Sequence, residues 1–521
     1  MRAFVSSPLR RPGLHLLAGL ACLAMLACGT VRAAPQVSSS NSADRSRQAR
    51  VPFTLTLDAA LRSALEAGSA ARAGQLERQQ QQALWVFAQA EFSPSFSLSS
   101  EARRQWSRGV PGAVDEANVT AGTLWKLRSG AQIDLRLIQD LARTAGTTMR
   151  PVTRVLELVQ PLLKGAWSAA RLGLEQARLT EQIGTYQYSQ ALDDVFTLVS
   201  LAYFDAALAR QQVALAQRAL ERVEQAKAVN EALHQAGRLA QVELLQSETD
   251  LAQAGLDLEQ ARNAALTAAS ALLQLLGPDL AGRAPGDLVL PETPPPVAAG
   301  PLLAEQEALA QARARRSDLL MAEAAVAAAG VGLAQAENEG RSTLDLALRV
   351  QSQSSAADTG GGLLPGSATG GSDRSIGLTW VLPLDRSVLR LQRSQAQLDL
   401  RRAELALEDA QRQLRRDVAD ALRELDFAQR QWALAGRTVD LNRRKLDAET
   451  ERFRAGKTSG FQLSSAQDAL RAAETAQAQA ALAMQRAQIQ QARALGLLAG
   501  QRQVLMQHAE PDPAAALGTP P

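Results

Sequence analysis

Apolar positions along the chain follow two periods. Leu192, Val195, Val199, Ala202, Ala206, Ala209, Val213, Ala216, Leu220 and Val223 recur at steps of three and four, which keeps a stripe on one helix face and, when sustained, makes a heptad seam. A second seam runs through Leu407, Ala410, Leu414, Val418, Ala421, Leu425, Ala428 and Trp432 with one extra step of four, a stutter that locally relaxes a supercoil. Elsewhere the period is two. Ala131, Ile133, Leu135 and Leu137 alternate with Gln132, Asp134 and Arg136, and Leu344, Leu346, Leu348 and Val350 alternate with Asp345, Ala347, Arg349 and Gln351. These are strands with one apolar and one polar face.

The helical pattern predicts a first helix from about Asp58 to Glu91, with Asp58 as N-cap and a stop before Ser93-Pro94. Further helices are expected near 166–235, 240–276, 305–339, 386–454 and 459–496. Strands are expected at Ser95–Ser107, Thr153–Gln160, Ser342–Gln353 and Ser375–Leu382. An additional hairpin, Val119–Leu127 with Ala131–Ile138 around Arg128-Ser129-Gly130, occurs only in the first half; it either extends outside a barrel or joins its wall.

The chain is written twice. The segment beginning AGRLAQVELLQSE at Ala236 aligns without a gap on AGKTSGFQLSSAQ at Ala455, a shift of 455 − 236 = 219 that holds to Gly277 and Gly496. Ala60-Leu61 matches Ala308-Leu309 at a shift of 248, and Val159-Gln160-Pro161-Leu162 matches Val381-Leu382-Pro383-Leu384 at 222. Three matches in one order mean two copies of one unit. By these signals residues 51–277 are the first repeat and 301–498 the second, with a Pro/Gly-rich linker at 278–300 and a tail at 499–521, both expected to be poorly ordered or surface-bound.

Length then bounds the architecture. A helix over 166–235 would be roughly 105 Å long, whereas those at 58–91 and 240–276 would each be roughly 50–55 Å, so two half-length helices stack beside one long one. The strands are long enough for tilted transmembrane β-strands, and four of them cannot close a useful pore, so several copies must share one barrel. The expected class is mainly α with a membrane β-barrel, a duplicated unit of long coiled-coil helices and strands whose barrel is shared among copies of the chain.

Composition changes this picture little. The chain has 56 Lys+Arg and 53 Asp+Glu, net +3, interspersed along helices, which argues against nucleic-acid binding. Arg2, Arg10 and Arg11 precede an apolar run from Leu14 to Ala27, a signal peptide at 1–33 followed by a linker at 34–50. No other apolar stretch approaches a membrane-spanning helix. Cleavage follows Ala33, or else precedes Cys28 and leaves it for acylation; Met25 and Leu26 fit a lipoprotein signal poorly. Both cysteines, Cys22 and Cys28, lie in this leader.

LTLDAALRSALEAG from Leu55, QPLLKG from Gln160, LAYFDAALAR from Leu201, AGRLAQVELLQSE from Ala236, LTWVLPL from Leu378 and AGKTSGFQL from Ala455 together resemble the TolC-type outer-membrane efflux family across nearly the whole mature chain. The resemblance implies a homotrimer in which each protomer gives four strands to a 12-stranded barrel continued by a periplasmic helical tunnel. It implies docking to a periplasmic adaptor and to an inner-membrane RND pump or ABC exporter. It places the periplasmic mouth at the hairpin tips marked by Gly237 and Gly456, where acidic residues commonly form a constriction. Here the sixth position after the glycine is Glu243 in the first copy but Gln462 in the second, and the ninth in the second is Ser465, a departure from the double acidic ring of one family member. Glu243 reads equally as a gate residue and as an ordinary tip residue. Arg238 and Lys457 read as adaptor or interprotomer contacts, or as solvated charges.

Other candidate chemistry is weak. His15, His234 and His508 are far apart, Asp193-Asp194 reads as a solvated helix face, and TGGGLLPGSATGG from Thr359 lacks the Lys-Ser/Thr ending of a phosphate loop. No catalytic residue, metal or cofactor is expected. The alternative function, a periplasmic adaptor, would carry one hairpin between lipoyl-like halves, which the duplication disfavours.

Overall fold

The computed structural model describes residues 53–106, 113–144, 147–149, 151–236, 240–291, 304–354, 372–455 and 457–507. The signal peptide with Cys28, the linker 34–50 and the glycine-rich run from Thr359 lie outside them. The first copy contains β1 (Phe53–Thr54), α1 (Leu57–Ala67), α2 (Ser69–Ala90), β2 (Ser95–Trp106), β3 (Ala113–Lys126), β4 (Gln132–Thr144), β5 (Thr147–Met149), β6 (Val152–Pro161), α3 (Leu172–Gln235) and α4 (Gln241–Leu275). A connector holds α5 (Pro278–Ala281) and β7 (Leu288–Val289). The second copy contains α6 (Glu305–Arg315), α7 (Ser317–Glu339), β8 (Thr343–Ser354), β9 (Ser372–Val381), α8 (Ser387–Arg454), α9 (Gly460–Ala494) and α10 (Leu498–Gln507).

The two rods are α3, with 64 residues, and α8, with 68, about 96 and 102 Å at 1.5 Å per residue. Each packs against a 35-residue partner, α4 or α9. The duplication is written into their burial: Val195 and Leu414, Val199 and Val418, Ala206 and Leu425, and Ala209 and Ala428 are all buried, and each pair is 219 residues apart. Both seams therefore bury the same stripe in both copies. Trp432 departs from the expected seam; it is 43% exposed, and burial resumes at Val439.

The half-length helices meet end to end, as their lengths require. At the first junction Ser63 Oγ donates to the Leu276 carbonyl at 2.7 Å, and the chain leaves α4 through Gly277 at φ 107. The second junction repeats this at Gly496, φ 67. A Cβ on Gly277 would lie 2.9 Å from Ala67 Cβ, and one on Gly496 2.9 Å from Arg315 Cβ. Left-handed backbone and close approach both select glycine there. The largest core cluster surrounds the first junction, with Leu61, Tyr203, Leu272, Leu273, Leu276 and Leu498 almost fully buried, each large apolar side chain contributing about 2 kcal/mol by area.

Several expectations need correction. The first helix is two helices, broken at Gly68 (φ −63, ψ 140), and the second copy breaks 248 residues later at Arg316 (φ −69, ψ 120). The N-cap is Thr56, whose Oγ1 accepts from Ala59 N at 3.3 Å; Asp58 lies in the first turn. The long rod begins at Leu172, after a 3₁₀ turn at Ala169–Arg171, and not near Ala166. The first part of the junction is built in: β7 pairs in parallel with β1, and Leu288 and Leu290 are buried. The tail likewise continues as α10 with Arg502 buried. Helix α7 is long and apolar enough, by length and composition, to cross a membrane, although its apolarity comes from alanines and its Leu319 packs beside Leu414 and Val418.

The strands form one antiparallel sheet in the order β2-β3-β4-β6-β8-β9, with β5 on β4. The additional hairpin, left open by the sequence, is β3 and β4 in the middle of that sheet. Among the described residues the sheet thus holds six long strands, against the four the resemblance implies.

Gly277→Ala and Gly496→Ala are each expected to destabilise the helical part by about 1–3 kcal/mol, the strain of a side chain in left-handed backbone. Thermal unfolding of the purified protein followed by circular dichroism checks this. An unchanged midpoint would remove the junction role.

Candidate functional site

The predicted tip residues lie where α3 turns into α4 and α8 into α9. Of the tip residues singled out, Gly237, Arg238 and Gly456 lie outside the described residues. Glu243 occupies the first turn of α4, its side chain exposed and its carbonyl accepting from Ser247 Oγ at 3.0 Å. Lys457, Gln462 and Ser465 are exposed, and the Thr458 hydroxyl bonds Gln462 Oε1. The fold brings Glu243 and Ser465 to one cleft of about 350 Å³, with Lys227, Asn230, Asp250 and Asp468. Lys457 and Gln462 do not line it.

Behind the tip, charged and polar pairs tie the two copies together. Asp257 pairs with Arg471 across α4 and α9, and Ser464 Oγ lies 3.4 Å from Asp250 Oδ2. Glu474, on α9 and only 15% exposed, receives Arg222 of α3 at 3.7 Å and Arg443 of α8 at 3.6 Å. One carboxylate thus holds three helices. These residues are absent from the sequence reading because each partner is unremarkable on its own helix and meets the other only when the copies lie side by side.

Further along the rods, away from the tip, Asp193 is not part of a solvated face, whereas its neighbour Asp194 stays half exposed. Asp194 pairs with Arg493, and Asp193 lies 3.2 Å from Arg502, whose Nη2 also donates to Ser189 Oγ at 3.1 Å. The Asp193 and Arg502 side chains are 18% and 10% exposed. Burial raises the Asp193 pKa above 3.8, with Arg502 opposing and Asp194 adding to the shift. Burial likewise lowers Arg502. These are structural ion pairs that fasten α10 and α9 to α3. Among the described residues no group of three or more His, Cys, Asp or Glu is placed to hold a metal.

The sheet has two contrasting faces. Phe96, Thr123, Leu135, Leu156 and Val350 form one row across five strands by register, and Trp125, Ile133, Leu158, Leu348 and Ile376 form the next. Most of these large side chains are exposed, Phe96 at 82% and Ile376 at 79%. The opposite face carries Asp134, Glu157 and Arg349 in register, with Arg136 at 3.2 Å from Asp134 and 3.1 Å from Glu157. A strand ladder that is apolar outside and charged inside is the division a water-filled membrane barrel requires.

The family model described as "Outer membrane efflux protein" matches residues 60–278 and 308–497, both copies of the unit, and the chain belongs to that family. It is an efflux channel of the outer membrane reaching into the periplasm, of a family of channels and not of enzymes. Among solved structures it is similar to VceC of Vibrio cholerae, at 16% identity over 84% of this chain and 96% of that one, TM-score 0.64. It is similar also to the outer-membrane channel CmeC of Campylobacter jejuni, at 15% over 84% and 85%, TM-score 0.63. The open state of the MtrE channel of Neisseria gonorrhoeae matches at 18% over 84% and 88%, TM-score 0.63. Compared by sequence with curated proteins, the chain has no significant match. Nothing in these likenesses favours the adaptor alternative.

Arg502→Ala is expected to cost about 2–4 kcal/mol, since it leaves a buried carboxylate unpaired, while replacing Asp193 and Arg502 together by Leu restores most of it. Because the folded pKa of Asp193 is raised, the cost of its charge is present above that pKa and fades as pH falls through it. The Arg502→Ala deficit should therefore shrink from neutral pH toward the range just above 3.8. Unfolding midpoints measured across pH decide both points.

Proposed function

We propose that three copies of this chain form one duct that passively conducts cargo to the exterior, receiving it at the periplasmic tips from an adaptor and an inner-membrane RND pump or ABC exporter. The observation that carries the self-association is apolar surface at heptad spacing that the described residues leave largely exposed. On α8, Leu391, Leu398 and Leu405 are 70%, 58% and 44% exposed, and Phe427, Leu434 and Leu441 are 60%, 61% and 65% exposed. Each set repeats every seven residues, the period of a seam that packs against another helix. Together with α7, whose apolar side chains are mostly only half-buried, these stripes fit lateral neighbours in a wall of helices. The sheet's apolar face and open edges make the same demand in the membrane.

In this reading Glu243 contributes one carboxylate per copy to the constriction, with Gln462 and Ser465 leaving the second position uncharged. Lys457, exposed in the turn between α8 and α9, and Arg238 serve in this reading as contacts to the adaptor or to a neighbouring copy.

Fractionation tests the assembly: the protein should sit in the outer-membrane fraction and migrate as a heat-modifiable oligomer of three. A monomeric soluble periplasmic pool would reject it. At the gate, Glu243→Gln should lower cation preference in planar-bilayer recordings, and unchanged reversal potentials would remove the residue from the constriction.

A further inference from the structure

We propose that the extra hairpin is part of the barrel wall, so that each copy supplies six transmembrane strands, and that β2 of one copy pairs with β9 of the next. Three copies then close an 18-stranded barrel. This rests on the oligomeric channel proposed above and changes the geometry of its outer mouth.

Four observations carry it. First, β3 and β4 are not edge strands: β3 pairs with β2 from Ser95↔Leu124 to Trp106↔Ala113, and β4 pairs with β6 from Gln132↔Val159 to Gln139↔Val152. Expelling the hairpin would break both ladders, and in hydrocarbon each lost backbone bond goes unreplaced. Second, the hairpin keeps the face pattern of its neighbours. Val119, Leu135 and Leu137 lie on the face of Leu348 and Ile376, and they are exposed by 45%, 53% and 40%, whereas Thr120 and Arg136 lie on the polar face.

Third, its base is fastened level with the other strands. Lys126 pairs with Glu91 at 2.7 Å, Trp125 Nε1 donates to the Phe92 carbonyl at 3.1 Å, and Trp167 N donates to the Ser129 carbonyl at 2.9 Å. With 14 and 13 residues, β3 and β4 exceed the roughly 9–11 a tilted strand needs to cross a bilayer. Fourth, the remaining edges match. Six strands alternating in direction leave β2 and β9 antiparallel to one another, so the last strand of one copy can pair with the first of another in a head-to-tail ring that closes. A second copy is thus the occupant of each edge.

Barrel diameter grows about linearly with strand number, so 18 strands make the mouth about 1.5 times as wide as 12. The narrowest point of the duct is then left to the periplasmic end.

The test is spin-label accessibility in the full-length oligomer reconstituted in phosphatidylcholine/phosphatidylglycerol vesicles. Val119→Cys and Leu135→Cys should report lipid, through oxygen, and Asn118→Cys and Thr120→Cys should report water, through a nickel chelate, with the same alternation as Ile376→Cys and Ser375→Cys on β9. Aqueous exposure on both faces of the hairpin, with Ile376 still in lipid, would overturn the six-strand wall and spare the channel. Loss of the lipid signal at Ile376 as well would overturn both. Excising residues 113–144 should also reduce the largest polymer that enters from the outer side to about two-thirds of its former diameter. An unchanged cutoff in the assembled variant counts against the proposal.

Discussion

A sheet that faces hydrocarbon cannot keep a free edge, because nothing in the bilayer core replaces the hydrogen bonds its outermost strand lacks. This chain folds a sheet with one face of exposed Phe, Leu, Ile and Trp and leaves β2 and β9 unpaired on their outer sides. In the assembly proposed above, the strand directions and face pattern of one protomer are completed by its neighbours in a closed ring, and the helices below hold the strands at positions where that ring can form.

The helical part meets the spacing requirement by repetition. A rod of about 100 Å buries little on its own, so each rod is lined by three shorter helices that meet at a tight glycine junction, and the arrangement occurs twice. Small residues keep the layers close: Ala60, Ala64, Ala308 and Ala312 are fully buried. Where the seam alone would leave the layers free to slide, charges lock them, as Glu474 does between α3, α8 and α9 and Arg316 does between Asp318 and Asp417 at the break in the second copy. That last clamp has no counterpart at Gly68, one way in which two copies of a unit have become unequal.

Inequality matters most at the tip and in the membrane. The tips differ by Glu243 against Gln462, so a ring built from them carries charge from one copy only. In the sheet the first copy contributes four long strands to the second copy's two. Both differences arise from local changes that leave the long seams untouched, since a hairpin added in register or a side chain changed at an exposed turn disturbs no buried contact.

Much of this was legible in the sequence, because periodicity is a direct record of which face is covered. Seam residues such as Val199 and Val418 and alternating residues such as Leu135 and Leu348 announced their element and face, and the 219-residue shift announced the second copy. Helix breaks were not legible: α6 ends at Arg315 and the chain breaks at Arg316 with no glycine or proline there, the kink being held by Asp417 101 residues away. Nor was Asp193 legible as a buried partner of Arg502, whose segment reads as a polar tail. Whether the extra hairpin extends outside the sheet or lies within it also depended on which strands accept its edges. Local pattern follows from the chain's own covalent order, so the sequence by itself determined the element types, the approximate extent of the long rods, the duplication and the channel family. Lateral placement is decided by contacts between residues hundreds of positions apart, and only the tertiary structure determined the ion-pair clamps, the glycine junctions and the six-strand order of the sheet.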